Sequence, residues 1–322
     1  GLFDGGNIED YRASLLGARA AVPALLDLFE EFGVCATWAT VGFLMCESKE
    51  ELLDTMPRKW PDYDDRRLSS YGRLHEIGDG EKQDPFHFAP SLVDEICRRP
   101  GQEIGTHTFS HYYCLDPGQS VEAFAADLEA AITLGRRRGL RIRSVVFPRN
   151  QFNEDYLKVC REQKILAVRG NPLTPWHHGA SHQDYNSLYC RAGRLLDAYL
   201  PLNDARLLGP ELRSDALPAN IPATRFLRPV STTLALLEPR RLQIINDELT
   251  SAARLGGLAH LWWHPHNFGL NTAKNLEFLR EILIHFATLR EKYGMGSHTM
   301  TGLARELRCD ADHEVHRADR AG

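Results

Sequence analysis

Two histidines four positions apart, His107 and His111, follow a short apolar run in the segment EIGTHTFSH (103–111). Residues at this spacing lie on the same side of a helical turn, so both imidazoles could reach one divalent ion such as Zn2+. With 14 histidines in 322 residues, one such pair is close to chance, and a structural or surface pair is the alternative. The pattern is not HExxH, because Thr108 stands where a metalloprotease has glutamate, so a catalytic base must come from elsewhere.

A second histidine pair, His264 and His266, lies far downstream in LWWHPHNFG (261–269). Imidazole titrates near neutrality, so either residue could act as a general acid or base. Trp262 and Trp263 point to opposite faces of a strand, so one should pack in the core while the other could stack on a sugar ring. The alternative is two buried tryptophans and a solvated loop histidine. Three further histidines are expected to be solvated rather than to form a second metal site: His177, His178 and His182.

Ionisable residues recur where predicted strands end. They are His107 after EIGT, Arg149 after VVFP, Arg169 after LAV, Arg228 after RFL and His264 after LWW. In α/β barrels the carboxyl ends of the strands form the active face, so this clustering is typical of a catalytic site. For Arg169 and Arg225 an ordinary position at a sheet edge is equally compatible with the sequence.

The elements that must position these residues alternate between helices and strands. The predicted helices cover 8–32, with Pro23 as a kink or break, 91–99, 121–139, 153–163 with Asn153 as N-cap, 238–254, 272–293 and 299–308. The predicted strands lie within 34–45, 102–107, 142–148, 164–170, 224–231 and 257–264. This alternation predicts a parallel sheet, open or closed into a barrel. We expect one domain over 1–308, with loop-rich insertions at about 47–90 and 171–222 and a disordered tail at 309–322.

Composition excludes several classes of function. A net charge of −5 and a pI near 6.3 argue against a general nucleic-acid binder or a protein of anionic membranes. No apolar run approaches the roughly 18 to 20 residues that cross a bilayer. Seven scattered cysteines without a CxxC motif favour reduced thiols and a cytoplasmic setting, although a lost N-terminal leader stays open because no initiator Met is present.

Together these motifs resemble the polysaccharide deacetylases of carbohydrate esterase family 4, the NodB-homology type. Residues 107–111 match the family motif H-[ST]-x-x-H, and Ala36-Thr37-Trp38-Ala39-Thr40-Val41-Gly42 resembles its ATFF-like strand. The late L-x-H motif is similar to the end of LWWH, which points to His264 rather than His266. The segments FPRNQ, FLRP and HLWWHPHNFG resemble a branch related to bacterial surface polysaccharides.

The resemblance implies a distorted (β/α)7-type barrel and a metal-dependent hydrolase that removes N-acetyl, or O-acetyl, groups from a bacterial surface polysaccharide or its precursor. It implies a divalent metal, Zn2+ above others, held by an Asp and by His107 and His111. It further implies that His264 is the acid and that Arg149 orients a carboxylate. The expected contacts with a carbohydrate substrate come from Arg228, His266 and Trp263.

Two departures from the family pattern matter. The first family motif, a strand ending in paired carboxylates such as TFDD, is represented only by Phe3-Asp4-Gly5-Gly6. We therefore expect the first strand, with the third metal ligand and the catalytic base, to lie upstream, and Asp4 to be a loop residue rather than a ligand. In addition, Pro148 precedes Arg149, whereas the family has Arg followed by Pro. The alternatives are a hydrolase of another C–N amide bond and a non-catalytic carbohydrate-binding homologue.

Overall fold

The computed structural model describes residues 8–171, 188–200 and 217–318. Its helices are α1 (Ile8–Phe32), α2 (Gly42–Met45), α3 (Lys49–Thr55), α4 (Pro90–Arg98), α5 (Val121–Arg137), α6 (Glu154–Glu162), α7 (Leu188–Tyr199), α8 (Glu238–Leu255), α9 (Pro265–Phe268), α10 (Thr272–Tyr293) and α11 (Met300–Ala318). Its strands are β1 (Ala36–Thr40), β2 (Gln102–Thr106), β3 (Ser144–Val145), β4 (Ala167–Gly170), β5 (Ala219–Pro222), β6 (Arg225–Phe226) and β7 (Leu261–Trp262).

The strands form two parallel sheets rather than a closed barrel. Five strands pair in the order β1-β2-β3-β4-β5, and β6 pairs with β7 separately. The predicted parallel α/β architecture is therefore confirmed, whereas the barrel is not. In the described part of the chain no strand joins the outer edge of β1 to β7, so the sheet stays open.

Local sequence signals explain where the main helices begin and end. Asn153 accepts hydrogen bonds from the backbone N–H groups of Asp155 and Tyr156, which confirms it as the N-cap of α6. Gly256 and Gly294, in the left-handed conformation, end α8 and α10. Pro23 lies inside α1 without ending it. None of the described helices is both long and apolar enough to cross a membrane.

The core is divided between the two faces of the structure. One large cluster joins the five-stranded sheet to α4, α5 and α6, with Phe124, Leu128 and Val145 almost fully buried. A second cluster joins α1 to α8 and α10 and includes Leu25, Ile245, Leu279 and other apolar residues. Trp38 of β1 packs against both clusters.

Several sequence predictions differ from the structure. The strands expected at 142–148, 224–231 and 257–264 pair over only two residues each. The described part of the expected insertion at 171–222 includes helix α7 and strand β5, and α11 continues to Ala318 through most of the segment expected to be a disordered tail. Strand β1, expected to be buried, is half-buried along its whole length, and no strand of the described residues pairs with its outer edge.

Candidate functional site

The His107/His111 pair is held by a loop, not by a helical turn. The chain leaves β2 and turns sharply, with Thr108 and His111 in the left-handed region at φ 65° and 61°. The two imidazole rings come to a centroid distance of 4.8 Å at an angle of 74°. The proximity that the spacing predicts is therefore present, and of a loop and a helical turn the structure has the loop, because positive φ values at these residues are incompatible with a right-handed helix.

Hydrogen bonds fix the orientation of His107. Its backbone N–H donates to the carbonyl oxygen of Thr40 at 2.9 Å, and its Nδ1 lies 2.6 Å from the carbonyl oxygen of Val146. A carbonyl oxygen can only accept, so Nδ1 carries the proton and Nε2 keeps a lone pair. Burial, followed by His111 and Arg169, lowers the pKa of His107 well below its usual value. His107 is therefore a neutral imidazole whose Nε2 can coordinate a metal.

His264, an exposed residue two positions after β7, lines the same cavity as His107 and His111. Its ring stacks on that of His266 at 5.1 Å, and its backbone N–H donates to Oδ1 of Asn267 at 3.3 Å. Burial by the surrounding protein, then His266 and Arg169, lowers the pKa of His264 to about 3. Burial lowers the pKa of His266 to about 4. With pKa values this low both rings are neutral at pH 7, so His264 would have to take up a second proton before it could act as a general acid.

Arg169, which the sequence left open as an edge residue, belongs to the site. Its guanidinium lies 4.2 Å from the ring centre of Trp262 and donates to Oδ1 of Asn150 at 2.7 Å. Its positive charge contributes to the lowered pKa values of His107, His260 and His264. Arg169 therefore makes this end of the sheet unfavourable for protonated histidine.

The two tryptophans of LWWH do face opposite ways, as expected. Trp263 packs against Phe29 and Phe268 in the second core cluster, with ring centroids 6.2 and 5.5 Å away. The ring centroid of Trp262 lies 5.8 Å from that of His264, and the guanidinium of Arg169 lies over the face of the indole. Trp262 is thus better placed than Trp263 to contact a ligand of the histidine site.

The two other arginines predicted for the site, Arg149 and Arg228, have different neighbours. Arg149, at φ 52°, stacks 5.7 Å from the ring centre of Tyr113, and that ring lies 5.1 Å from His111. Arg228 instead interacts with Tyr199 and Arg241, and burial lowers its pKa. Four candidates considered in the sequence lie outside the described residues: Asp4, His177, His178 and His182.

The pair could supply two metal ligands, and the described residues do not provide a third. Within 8–171, 188–200 and 217–318, no three side chains of His, Cys, Asp or Glu are grouped so that they could hold one metal ion. The neutral Nε2 of His107 and the adjacent ring of His111 fit zinc chemistry. A third ligand would have to come from another part of the protein.

A cavity of about 1230 Å3 opens between the two sheets. It is lined by the whole of β1 on one side and by 256–266, which includes β7, on the other. His107, His111 and Arg169 line it as well. The cavity therefore follows one edge each of β1 and β7 that is not paired with a strand in the described part of the chain, and it reaches the histidine site.

Comparisons with known proteins support the fold. No protein-family model matches the chain, and no curated protein matches it. A crystal structure described as a "putative polysaccharide deacetylase" from Mycobacterium smegmatis aligns with a TM-score of 0.56 at 16% identity, over 92% of this chain and 79% of that one. A CE4 family pseudoenzyme from Bacillus anthracis aligns with a TM-score of 0.44 at 11% identity, over 88% of this chain and 60% of that one. At these identities the first likeness shows the fold alone.

Proposed function

We propose that this protein is a metal-dependent hydrolase that removes acetyl groups from amino sugars of a bacterial surface polysaccharide or its precursor. The observation that carries the proposal is the His107/His111 pair at the end of β2, with Nδ1 of His107 bound to the carbonyl oxygen of Val146. The shared fold with the mycobacterial protein supports it.

Each residue of the site has a chemical task in this proposal. His107 and His111 would hold Zn2+, which when bound polarises a carbonyl and lowers the pKa of water. His264 would protonate the departing amine, after first taking up a proton. Because its pKa in the metal-free protein is about 3, that role requires negative charge to develop nearby and raise it. Trp262 and His266 would border the sugar, and Arg149, behind His111, would orient a carboxylate.

We place the missing carboxylates, a third ligand and a base, on a strand between β1 and β7. Among the described residues no strand pairs with either strand on that side, and a parallel strand between them could pair with both. The first turns of α1 lie beside the end of β7, since Oγ of Ser14 donates to the carbonyl oxygen of His266 at 2.8 Å. A strand leading into α1 and parallel to β1 would therefore end next to His107 and His264.

The test is acetate release from N-acetylated oligosaccharides by the natural full-length protein loaded with Zn2+. We expect His107→Ala to lose both zinc and activity, while His75→Ala, a change of an exposed histidine, keeps both. Full zinc occupancy in His107→Ala would rule out the ligand assignment.

The same assay separates the alternatives. Zinc binding with hydrolysis of other amides, but no acetate release, would favour a different C–N hydrolase. Glycan binding without zinc binding or hydrolysis would favour a non-catalytic homologue. This is the second candidate, because the described residues hold no group of three side chains that could bind one metal ion.

A further inference from the structure

The loop that holds the histidine pair needs support from outside itself. Thr108 and His111 are not glycine, yet both adopt positive φ, a conformation that costs free energy and persists only when the surroundings enforce it. Two of the loop's carbonyl groups are held by α2, because the N–H groups of Gly42 and Phe43 donate to Thr108 and Phe109 at 3.0 and 3.2 Å. The loop's inner amides need a separate acceptor.

Asp127, in the middle of α5, provides that acceptor. Its Oδ1 accepts from the backbone N–H groups of Phe109 at 2.7 Å and Ser110 at 3.4 Å. Its Oδ2 accepts from the hydroxyls of Tyr71, at 3.0 Å, and Ser110. One carboxylate thus binds two of the three backbone amides that lie between His107 and His111.

Burial of the Asp127 carboxylate costs free energy unless these hydrogen bonds are made. The residue is 1% exposed, and its four hydrogen-bond donors are all uncharged groups. Burial raises its pKa to about 6, and the hydrogen bonds from Ser110, Phe109 and Tyr71 oppose that rise. A buried carboxylate without a cationic partner is unfavourable, and Asp127 lies on the apolar stripe of α5.

We infer that Asp127 is the positioning residue of the histidine site: it fixes the 107–111 loop through the amides of Phe109 and Ser110 and thereby holds His107 and His111 together. Asp127 itself need not touch a metal or a substrate. For its effect on metal binding, the inference rests on the proposed function. Its effect on the loop does not depend on that function.

The test compares Asp127→Ala, Asp127→Asn and a control, Leu134→Ala, which removes a fully buried side chain from the same helix. Hydrogen exchange of the Phe109 and Ser110 amides is measured in the metal-free protein, relative to amides elsewhere in the core. We expect about tenfold faster relative exchange in Asp127→Ala and an intermediate increase in Asp127→Asn, because a neutral carbonyl is a weaker acceptor than a carboxylate. Leu134→Ala should accelerate exchange throughout the core without singling out these two amides.

Zinc affinity of the full-length variants provides the second measurement. We expect Asp127→Ala to bind Zn2+ about 10- to 100-fold more weakly, as is usual for the loss of a group that orients a ligand, with Asp127→Asn in between. Leu134→Ala should lower thermal stability and leave zinc affinity near the wild-type value. Wild-type relative exchange at Phe109 and Ser110 in either Asp127 variant would overturn the inference, and Asp127→Asn decides the matter if Asp127→Ala does not fold. If the wild-type protein binds no zinc, the proposed function fails while the exchange experiment still tests Asp127.

Discussion

His260 should make folding depend on pH in a way that can be measured. It precedes β7, and its backbone N–H donates to Oγ1 of Thr224 at 2.9 Å. Burial and then Arg169 lower the pKa of its imidazole from 6.5 to about 4, against hydrogen bonds with the backbone of Ile221 and Pro222. The unfolded chain therefore binds a proton near pH 6.5, whereas the folded protein binds it only near pH 4. The stability that neutral His260 contributes is complete above pH 6.5 and is lost as the pH falls towards 4.

The size of the effect follows from the two pKa values. One pKa unit corresponds to about 1.4 kcal/mol. Of the interval between pH 7 and pH 5, roughly 1.5 pH units lie below the pKa of the unfolded state, where the unfolded chain holds the proton and the folded protein does not. The free energy of unfolding should therefore fall by about 2 kcal/mol over this interval through His260 alone. Other histidines with lowered pKa values, such as His107 and His264, add to the total loss.

Urea denaturation of the wild type and of His260→Gln at pH 7 and pH 5 isolates this contribution. We expect the wild type to lose about 2 kcal/mol more than the variant between the two pH values. His75→Gln, which changes an exposed histidine, serves as the matched control and should follow the wild type. Equal losses in the wild type and in His260→Gln would refute the reasoning, because they would mean that the ring is not kept neutral by its surroundings.

Two further changes test the framework of the site. Glu103 of β2 accepts hydrogen bonds from hydroxyls of β1 and β3 and from the backbone N–H of Thr301 in α11. Glu103→Leu should lower the free energy of unfolding by about 2 to 4 kcal/mol in urea titrations, because several donors lose their acceptor, and a change below the error of the titration would contradict this. At Gly42 an added Cβ would lie 2.3 Å from Cδ2 of Phe109. Gly42→Ala should lower the free energy of unfolding by about 1 to 3 kcal/mol and weaken zinc binding, because the added methyl group displaces the loop. Wild-type stability and wild-type zinc affinity in this variant would show that the loop accommodates the methyl group without cost.

Hydrophobic periodicity predicted the helices well and the strands poorly. The helix expected at 272–293 is α10, Thr272–Tyr293, and those expected at 121–139 and 153–163 are α5 and α6 with ends shifted by one or two residues. Helices depend on local spacing, which a sequence displays directly. Strand lengths depend on pairing with distant partners, so apolar runs of seven or eight residues became strands of two. Strand β5 was not predicted, because a proline such as Pro222 is untypical of a strand inside a sheet. A strand at the edge of a sheet, which is the position of β5, tolerates proline.

The sequence predicted that His107, His111 and His264 lie together at one end of the sheet, but not the geometry in which they do so. The 107–111 motif and the ends of β2 and β7 identified His107, His111 and His264. Nothing in Thr108 signals a left-handed turn, because a β-branched residue disfavours positive φ. Asp127 did leave a signal: it falls on the apolar stripe of its helix, between Phe124 and Leu128, where an acidic residue needs an explanation.

The electrostatic environment of the histidine site indicates which kind of third ligand would allow the site to bind a metal. Burial is the main reason why a proton on His107 and His264 is unfavourable, and the positive charge of Arg169, which adds to it, would also repel a divalent cation. Another neutral ligand would leave that repulsion in place, whereas a carboxylate would offset it. In the part of the chain that the structure describes, β1 and β7 each have one edge without a paired strand, and both edges line the same cavity, where a further strand could bind their backbone groups. A single extended segment with an acidic residue at its carboxyl end would satisfy both requirements, and for this reason we place the third ligand there rather than on a distant loop.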